Sequence, residues 1–142
     1  MKILAIDLGD RHTGICISDK SGTIAGQAFT IDEFNRERLA DKIAEISRQN
    51  SVERIVIGNP KNMNATIGER SEKSRVFSEL IAGKTGLPVV LWDERVTTVS
   101  ALRFLSDAGK KKKKQRALVD SVAAAIILQN YLDFLSNNPD QA

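Results

Sequence analysis

The sequence predicts an α/β fold in which one mixed sheet of five strands, three antiparallel and the rest alternating with helices, is covered on its faces by those helices. Two observations carry this. Three strand-length segments at the start are joined by short turns, and beyond Asp32 the apolar spacing switches to a helical period and then alternates between helix and strand.

Each element has its own signal. Lys2-Ile3-Leu4-Ala5-Ile6-Asp7 is an apolar run of strand length ending on a carboxylate, and Gly9 to Gly14 is turn material. A second strand runs to about Asp19, and Ser21-Gly22 turns the chain into a third, from Ile24 to Ile31. Leu39, Ile43 and Ile46 then fall on one helical face, with Asp32 or Asn35 available as the cap. Val52 to Ile57 reads as a strand stopped by Gly58-Asn59-Pro60. After a polar loop, a second helix is expected to bury Val76, Phe77, Leu80 and Ile81. Gly86-Leu87-Pro88 breaks that helix, and Val89 to Trp92 forms the fifth strand. Val99, Leu102 and Leu105 mark a third helix ending near Gly109. A lysine run follows as a loop, and a last helix spans roughly Gln115 to Leu135. One domain over residues 1–136 is expected, with a frayed tail over 137–142.

Composition narrows the class. Apolar residues are 42% and charged residues 27%, the balance of an ordinary globular domain able to bury a core. The apolar stretch from Ala123 to Leu128 falls far short of the roughly 20 residues of a membrane span. Asp7 and Asp10 interrupt any leader-like run, so the expected location is the cytoplasm, with no membrane partner. Cys16 is the single cysteine and His12 the single histidine, which disfavours a zinc cluster, a disulfide and thiol catalysis alike. The net charge is only +3, yet Lys110, Lys111, Lys112, Lys113 and Lys114 are consecutive and Arg116 follows. Such a run favours phosphate backbones through counterion release. No aromatic residue interleaves it, so base stacking is not indicated there.

Three acidic positions stand out. Asp7 ends an apolar strand, where an unpartnered carboxylate would be costly to desolvate. Asp93 and Glu94 follow the buried strand Val89 to Trp92, at the edge where ligands bind in open α/β sheets. Alternation puts those two on opposite faces and leaves open which one enters a site. Asp120 lies in an apolar helix and shares a face with Ala124, Ile127 and Tyr131 at helical spacing. A position near the helix N-terminus would let the macrodipole stabilise it; a cation shared with other carboxylates explains it better. Acids from two strand ends and one helix make a hard, oxygen-rich site suited to magnesium or manganese. Two such cations roughly 4 Å apart activate water and stabilise the leaving oxygen of a phosphodiester, with no need for histidine or cysteine.

Taken together, Asp7-Leu8-Gly9 with Gly14, Gly58 to Met63, Asp93 to Thr98, Val119-Asp120-Ser121 and Ile127 to Leu132 resemble the YqgF family, also called RuvX. Its members are described as Holliday junction resolvase-like proteins or pre-16S ribosomal RNA nucleases. The resemblance spans nearly the whole chain. It implies a ribonuclease H-like fold related to the RuvC resolvases, and a cytoplasmic hydrolase that processes the 5′ end of precursor 16S ribosomal RNA or cuts branched DNA. It also implies an acidic triad of Asp7, Glu94 and Asp120, choosing Glu94 over Asp93, with Gly9, Arg95, Thr97 and Thr98 in support. Asn59, where the family usually has an apolar residue, and the uniform lysine run depart from the pattern; both bear on substrate preference.

Two other readings compete. Asp7 to Gly14 is also similar to the first phosphate loop of the actin, hexokinase and heat-shock ATPase superfamily, but those proteins close two domains around a nucleotide. A non-catalytic nucleic-acid-binding factor in ribosomal RNA maturation or transcription would use the basic run equally well, yet has no need of three acids near phosphates. A four-way junction would further require a homodimer, with two active sites about one axis.

Overall fold

The computed structural model describes residues 1–59, 67–93 and 112–141, with side chains over 1–58, 72–92 and 121–140. Its strands are β1 (Ile3–Asp7), β2 (His12–Ser18), β3 (Ala25–Asp32), β4 (Arg54–Asn59) and β5 (Val89–Asp93). The helices are α1 (Arg36–Gln49), α2 (Ile67–Thr85) and α3 (Lys112–Asn137), followed by a 3-10 turn at Pro139–Gln141. The strand order is β3-β2-β1-β4-β5. β2 pairs antiparallel with both β1 and β3, while β4 pairs parallel with both β1 and β5. This is the mixed five-stranded sheet expected from the segment order. The helix expected around Val99, Leu102 and Leu105 lies outside the described residues.

Side-chain alternation divides the core in two. Leu4 and Ile6 of β1 join Ile15, Ile17, Ile55 and Ile57 in a cluster closed by Leu39 and Ile43 of α1 and by Phe77 and Ile81 of α2. The intervening Ile3 and Ala5 join Cys16 and Val56 in a second cluster, against Ala124, Ile127, Leu128, Tyr131 and Leu132 of α3. Each helix therefore buries one stripe, and the central strand has no solvent face. Cys16 lies wholly inside the second cluster, where burial pushes its thiol up to about 11. At neutral pH it is an inert apolar filler.

Polar contacts lock α3 onto the sheet. The Gln129 side-chain carbonyl accepts from the Ala25 N–H at 2.9 Å, and its amide donates to the Thr23 carbonyl at 3.2 Å. These bonds hold the β2–β3 turn. That turn is also ordered by Asp19, whose carboxylate accepts from the N–H groups of Thr23 and Ile24, while Gly22 takes a left-handed φ of 71°. The Ser21 hydroxyl, donating to Asp19, and those backbone bonds hold the Asp19 carboxyl down at about 2. Arg54, the first residue of β4, donates to the Tyr131 hydroxyl at 2.9 Å, and Trp92 packs edge-on against Tyr131.

Four local expectations are corrected. Val76, expected inside, is 51% exposed. Phe77 and Ile81 fill the α2 stripe and leave Val76 on its flank. The third strand begins at Ala25, and Ile24 stands outside it, 60% exposed in the turn that Asp19 organises. The last helix starts at Lys112 rather than Gln115, so part of the lysine run is helical, which agrees with the good helix propensity of lysine. At its other end that helix continues through Asn137 rather than ending at Leu135, and a 3-10 turn follows.

Leu128→Ala should leave a cavity between α3 and the sheet and destabilise the fold by about 2–5 kcal/mol in equilibrium urea denaturation. A loss under about 1 kcal/mol would show that this face repacks freely.

Candidate metal and nucleic-acid site

The three parallel strands β1, β4 and β5 deliver their carboxyl ends to one edge of the sheet, where Asp7, Asn59 and Asp93 are the last strand residues. Asp7 follows Ile3 and Ala5 in parity, so it belongs to the face covered by α3. It is half-buried and engaged in a polar interaction. Across the sheet it lies beside Gly14, and Gly14 beside Thr30, so the position next to Asp7 carries no side chain.

α3 approaches this edge from the other end. Gln129 is anchored at Ala25, which pairs with Ser18, whose hydroxyl accepts from the Ile3 N–H at 2.9 Å. Gln129 is therefore level with the start of β1. Asp120 precedes it by nine residues, about 13.5 Å of helix rise, and Asp7 follows Ile3 by four, about 13 Å of strand. The helix runs antiparallel to β1, so the Asp120 backbone reaches the level of Asp7. Asp120 is also the ninth residue of α3 rather than a member of its first turn. The macrodipole, which acts within the terminal turn, is thus a poor account of it.

The β1–β2 loop is built tightly. A Cβ on Gly9 would lie 2.1 Å from the His12 carbonyl oxygen, so glycine alone fits. The Gly9 N–H donates to the hydroxyl of the buried Thr13 at 3.4 Å, and its carbonyl accepts from Arg36 Nη1 at 2.7 Å. Arg36 and Lys73 both approach the Asp10 carboxylate, at 3.6 and 3.4 Å. Arg11 binds Asp32 at 2.9 Å; that hydrogen bond holds the Asp32 carboxyl below its ordinary range. His12 opens β2 and is half-buried.

Of the residues singled out by sequence, Asp7 and Gly9 are thus placed at the carboxyl edge. Lys112, Lys113, Lys114, Arg116 and Asp120 lie in α3, where their backbone alone is described. Glu94, Arg95, Thr97, Thr98, Lys110 and Lys111 lie outside the described residues. No group of three Asp, Glu, His or Cys side chains converges among the described residues. The donor chemistry at the edge still fits a hard divalent cation, since Asp7 offers carboxylate oxygen and the one thiol is sealed in the core. Arg36 escaped the sequence reading. Its position after the Asn35 cap marks a helix start, but its reach to Gly9 is a long-range contact without a local signal.

Comparison with known proteins agrees with this architecture. The chain matches the family described as RuvX, Holliday junction resolvase, over residues 1–134. It is 43% identical over 135 residues to a Listeria innocua protein named "Putative pre-16S rRNA nuclease", covering 94% of this chain and 98% of that one. An Agathobacter rectalis protein of the same name is 41% identical over 141 residues, covering 97% and 99%. Among solved structures, the fowlpox virus resolvase in complex with Holliday junction DNA superposes with a TM-score of 0.62 at 11% identity, covering 95% of this chain and 99% of that one. T. thermophilus RuvC in complex with a Holliday junction substrate gives 0.54 at 13% identity, covering 89% and 93%. At such identities these two structures speak for the fold alone, and that fold is ribonuclease H-like.

Gly9→Ala should force the loop off the His12 carbonyl and cost about 1–3 kcal/mol in thermal or chemical denaturation. Gly83→Ala, where a Cβ meets nothing within 4 Å on α2, should instead stabilise by up to about 1 kcal/mol. Equal effects would mean the Gly9 contact does not constrain the loop. By sequence over nearly its whole length, and by fold, the chain belongs to the RuvX family of Holliday junction resolvases, a nuclease family.

Proposed function

We propose that this protein is a divalent-metal-dependent nuclease that hydrolyses phosphodiester bonds, with Asp7, Glu94 and Asp120 as metal ligands. The observation that carries the reading is the placement of Asp7, on the α3 face at the end of the central parallel strand, level with Asp120 on the antiparallel helix. The parity of β5 favours Glu94 as the third ligand. Val90 and Trp92 pack on the α3 side and Val89 and Leu91 on the other, an alternation that, if it continued beyond the described strand, would support Glu94 over Asp93.

Magnesium or manganese held there would supply an activated water and charge stabilisation for the leaving oxygen. The chain's own contribution is placement. Gly9, Thr13 and Arg36 fix the loop behind Asp7, and Gln129 fixes the height of α3. Helix polarity adds to this, because α1 and α2 start at the edge where Asp7 lies, and α3 runs away from it. Helix N-termini favour phosphate oxygens. The substrate we assign is a nucleic acid: the 5′ region of precursor 16S ribosomal RNA, or branched DNA. The relatives' names support the first, and the family description supports the second. Lys110 to Lys114 and Arg116 would grip its backbone. A four-way junction requires two active sites about a dimer axis, so a dimer in sedimentation equilibrium supports junction cleavage and a monomer supports RNA.

With magnesium or manganese, the wild-type protein should cleave precursor ribosomal RNA or junction DNA. Asp7→Asn, Glu94→Gln and Asp120→Asn should each lower the rate by more than about a hundredfold, beyond the effect typical of outer-shell residues, while binding survives. Asp93→Asn should stay near wild type. Equal cleavage by wild type and all three variants would overturn the ligand assignment, and binding without any cleavage would favour the non-catalytic factor. Replacing Lys110 to Lys114 with glutamine should weaken binding and flatten its dependence on salt by several units of log–log slope, at about 0.9 for each phosphate left unneutralised on duplex DNA. An unchanged slope would reduce the run to a solvated segment.

A further inference from the structure

Arg36 at the start of α1 and Lys73 on α2 flank a shallow groove of about 230 Å³ whose floor is Val76, Phe77 and Leu80, with Glu72 at the rim. This groove lies on the face of the sheet opposite α3. It is joined to the candidate site by the β1–β2 loop, since both cations rest on Asp10, three residues after Asp7. Three features distinguish it from ordinary surface. Its floor is almost wholly apolar and includes the half-exposed Val76. The two cations come from different helices yet converge on one carboxylate. That carboxylate is itself 82% exposed, so a stronger anion can replace it. The Arg36 guanidinium also lies over the Phe77 ring, 6.0 Å from its centroid, which keeps it at the groove wall.

We infer that this groove holds one nucleotide of the bound nucleic-acid strand, its phosphate taking the place of Asp10 between Arg36 and Lys73 and its base or sugar lying on Val76 and Leu80. The charge pattern selects the occupant. A phosphate satisfies both cations better than one exposed carboxylate does, and a flat base fits an apolar floor walled by a guanidinium, the surface on which unpaired bases stack. The groove would then grip the strand on one side of the sheet edge, while Lys112 to Lys114 open α3 on the other. This inference rests on the reading of the protein as one that binds nucleic acid, and it is independent of whether the bond is cut.

The test is binding of fluorescently labelled single-stranded RNA and junction DNA, without divalent metal, from about 50 to about 200 mM salt. Each variant's melting temperature and its cleavage rate with magnesium are measured in parallel. Lys73→Gln should remove one phosphate contact, so that the drop in affinity across that salt range becomes about 2.6-fold smaller on single-stranded RNA. Lys20→Gln, the same charge change in the β2–β3 turn at the far end of the sheet, should leave the slope unchanged. Val76→Glu should weaken binding about tenfold or more with an unaltered melting temperature, since Val76 lies on the flank of α2. Val76→Gln, which adds no charge, should weaken it less. Asp10→Asn should tighten binding more than Glu45→Gln, an equal charge change on the outer surface of α1.

If Lys73→Gln and Lys20→Gln give the same slope, or if both Val76 variants bind as wild type does, the inference is wrong. Cleavage by wild type together with silent Lys73 and Val76 variants would sink the groove alone. A Lys73-dependent slope without any cleavage would sink the nuclease reading alone. Absence of nucleic-acid binding by the wild type would sink both.

Discussion

The structure depends on the double burial of β1. A strand of five residues sits at the centre of the sheet with neighbours on both edges and helices on both faces, so none of Ile3, Leu4, Ala5 or Ile6 touches solvent. Such a strand tolerates no polar side chain until it leaves the core, and the first it carries is Asp7. The same residues that hold the two helical layers together therefore decide where the first charge emerges. Alternation does the rest. Because Ile3 and Ala5 face α3, Asp7 does too, and a one-residue slip of β1 would exchange every side chain between the layers.

Packing outweighs ion pairing in holding this arrangement. Most of the described salt bridges are exposed, and several, such as Arg48–Glu45 and Arg75–Glu72, join neighbours on a single helix. Pairs of that kind contribute little. The polar contacts that matter are longer in range. Gln129 joins α3 to a turn more than a hundred residues earlier in the chain, Arg36 joins the start of α1 to Gly9, and Arg54 joins β4 to Tyr131. Each ties the end of an element to the layer beside it, and together they set the height of α3 and the shape of the loop behind Asp7.

Much of this was legible in the sequence, for reasons that differ by element. Lys2 to Asp7, Val52 to Ile57 and Val89 to Trp92 are apolar runs of strand length bounded by turn residues, as buried parallel strands are. Ala124, Ile127 and Tyr131 share a helical face, and that face is the one buried. What escaped depends on neighbours rather than on pattern. The stripe Val76-Phe77-Leu80-Ile81 is wide enough that its spacing does not say which flank remains uncovered. Lys112 to Lys114 read as loop because charge runs are usually solvated, although lysine is a good helix former. At the candidate site, Asp7 and Asp120 were visible as charges inside apolar periodicity. Arg36 and Lys73 were not, because nothing nearby in the chain marks two helix-surface cations as sharing Asp10.

The long reach of Gln129 bears on how the molecule is made. The helix that covers β1, β2 and β3 is the last one described, so the apolar face of Ile3, Ala5 and Cys16 lacks the cover of α3 while about a hundred further residues are being synthesised. At typical elongation rates that interval lasts about 5–20 s. During it, the first three strands can pair, and α1 can close one side of the sheet, but the half-formed domain presents an open hydrophobic face to the ribosome surface and to chaperones. Completion of the fold, which brings the Asp120 backbone level with Asp7, is thus a late event in the life of each new chain.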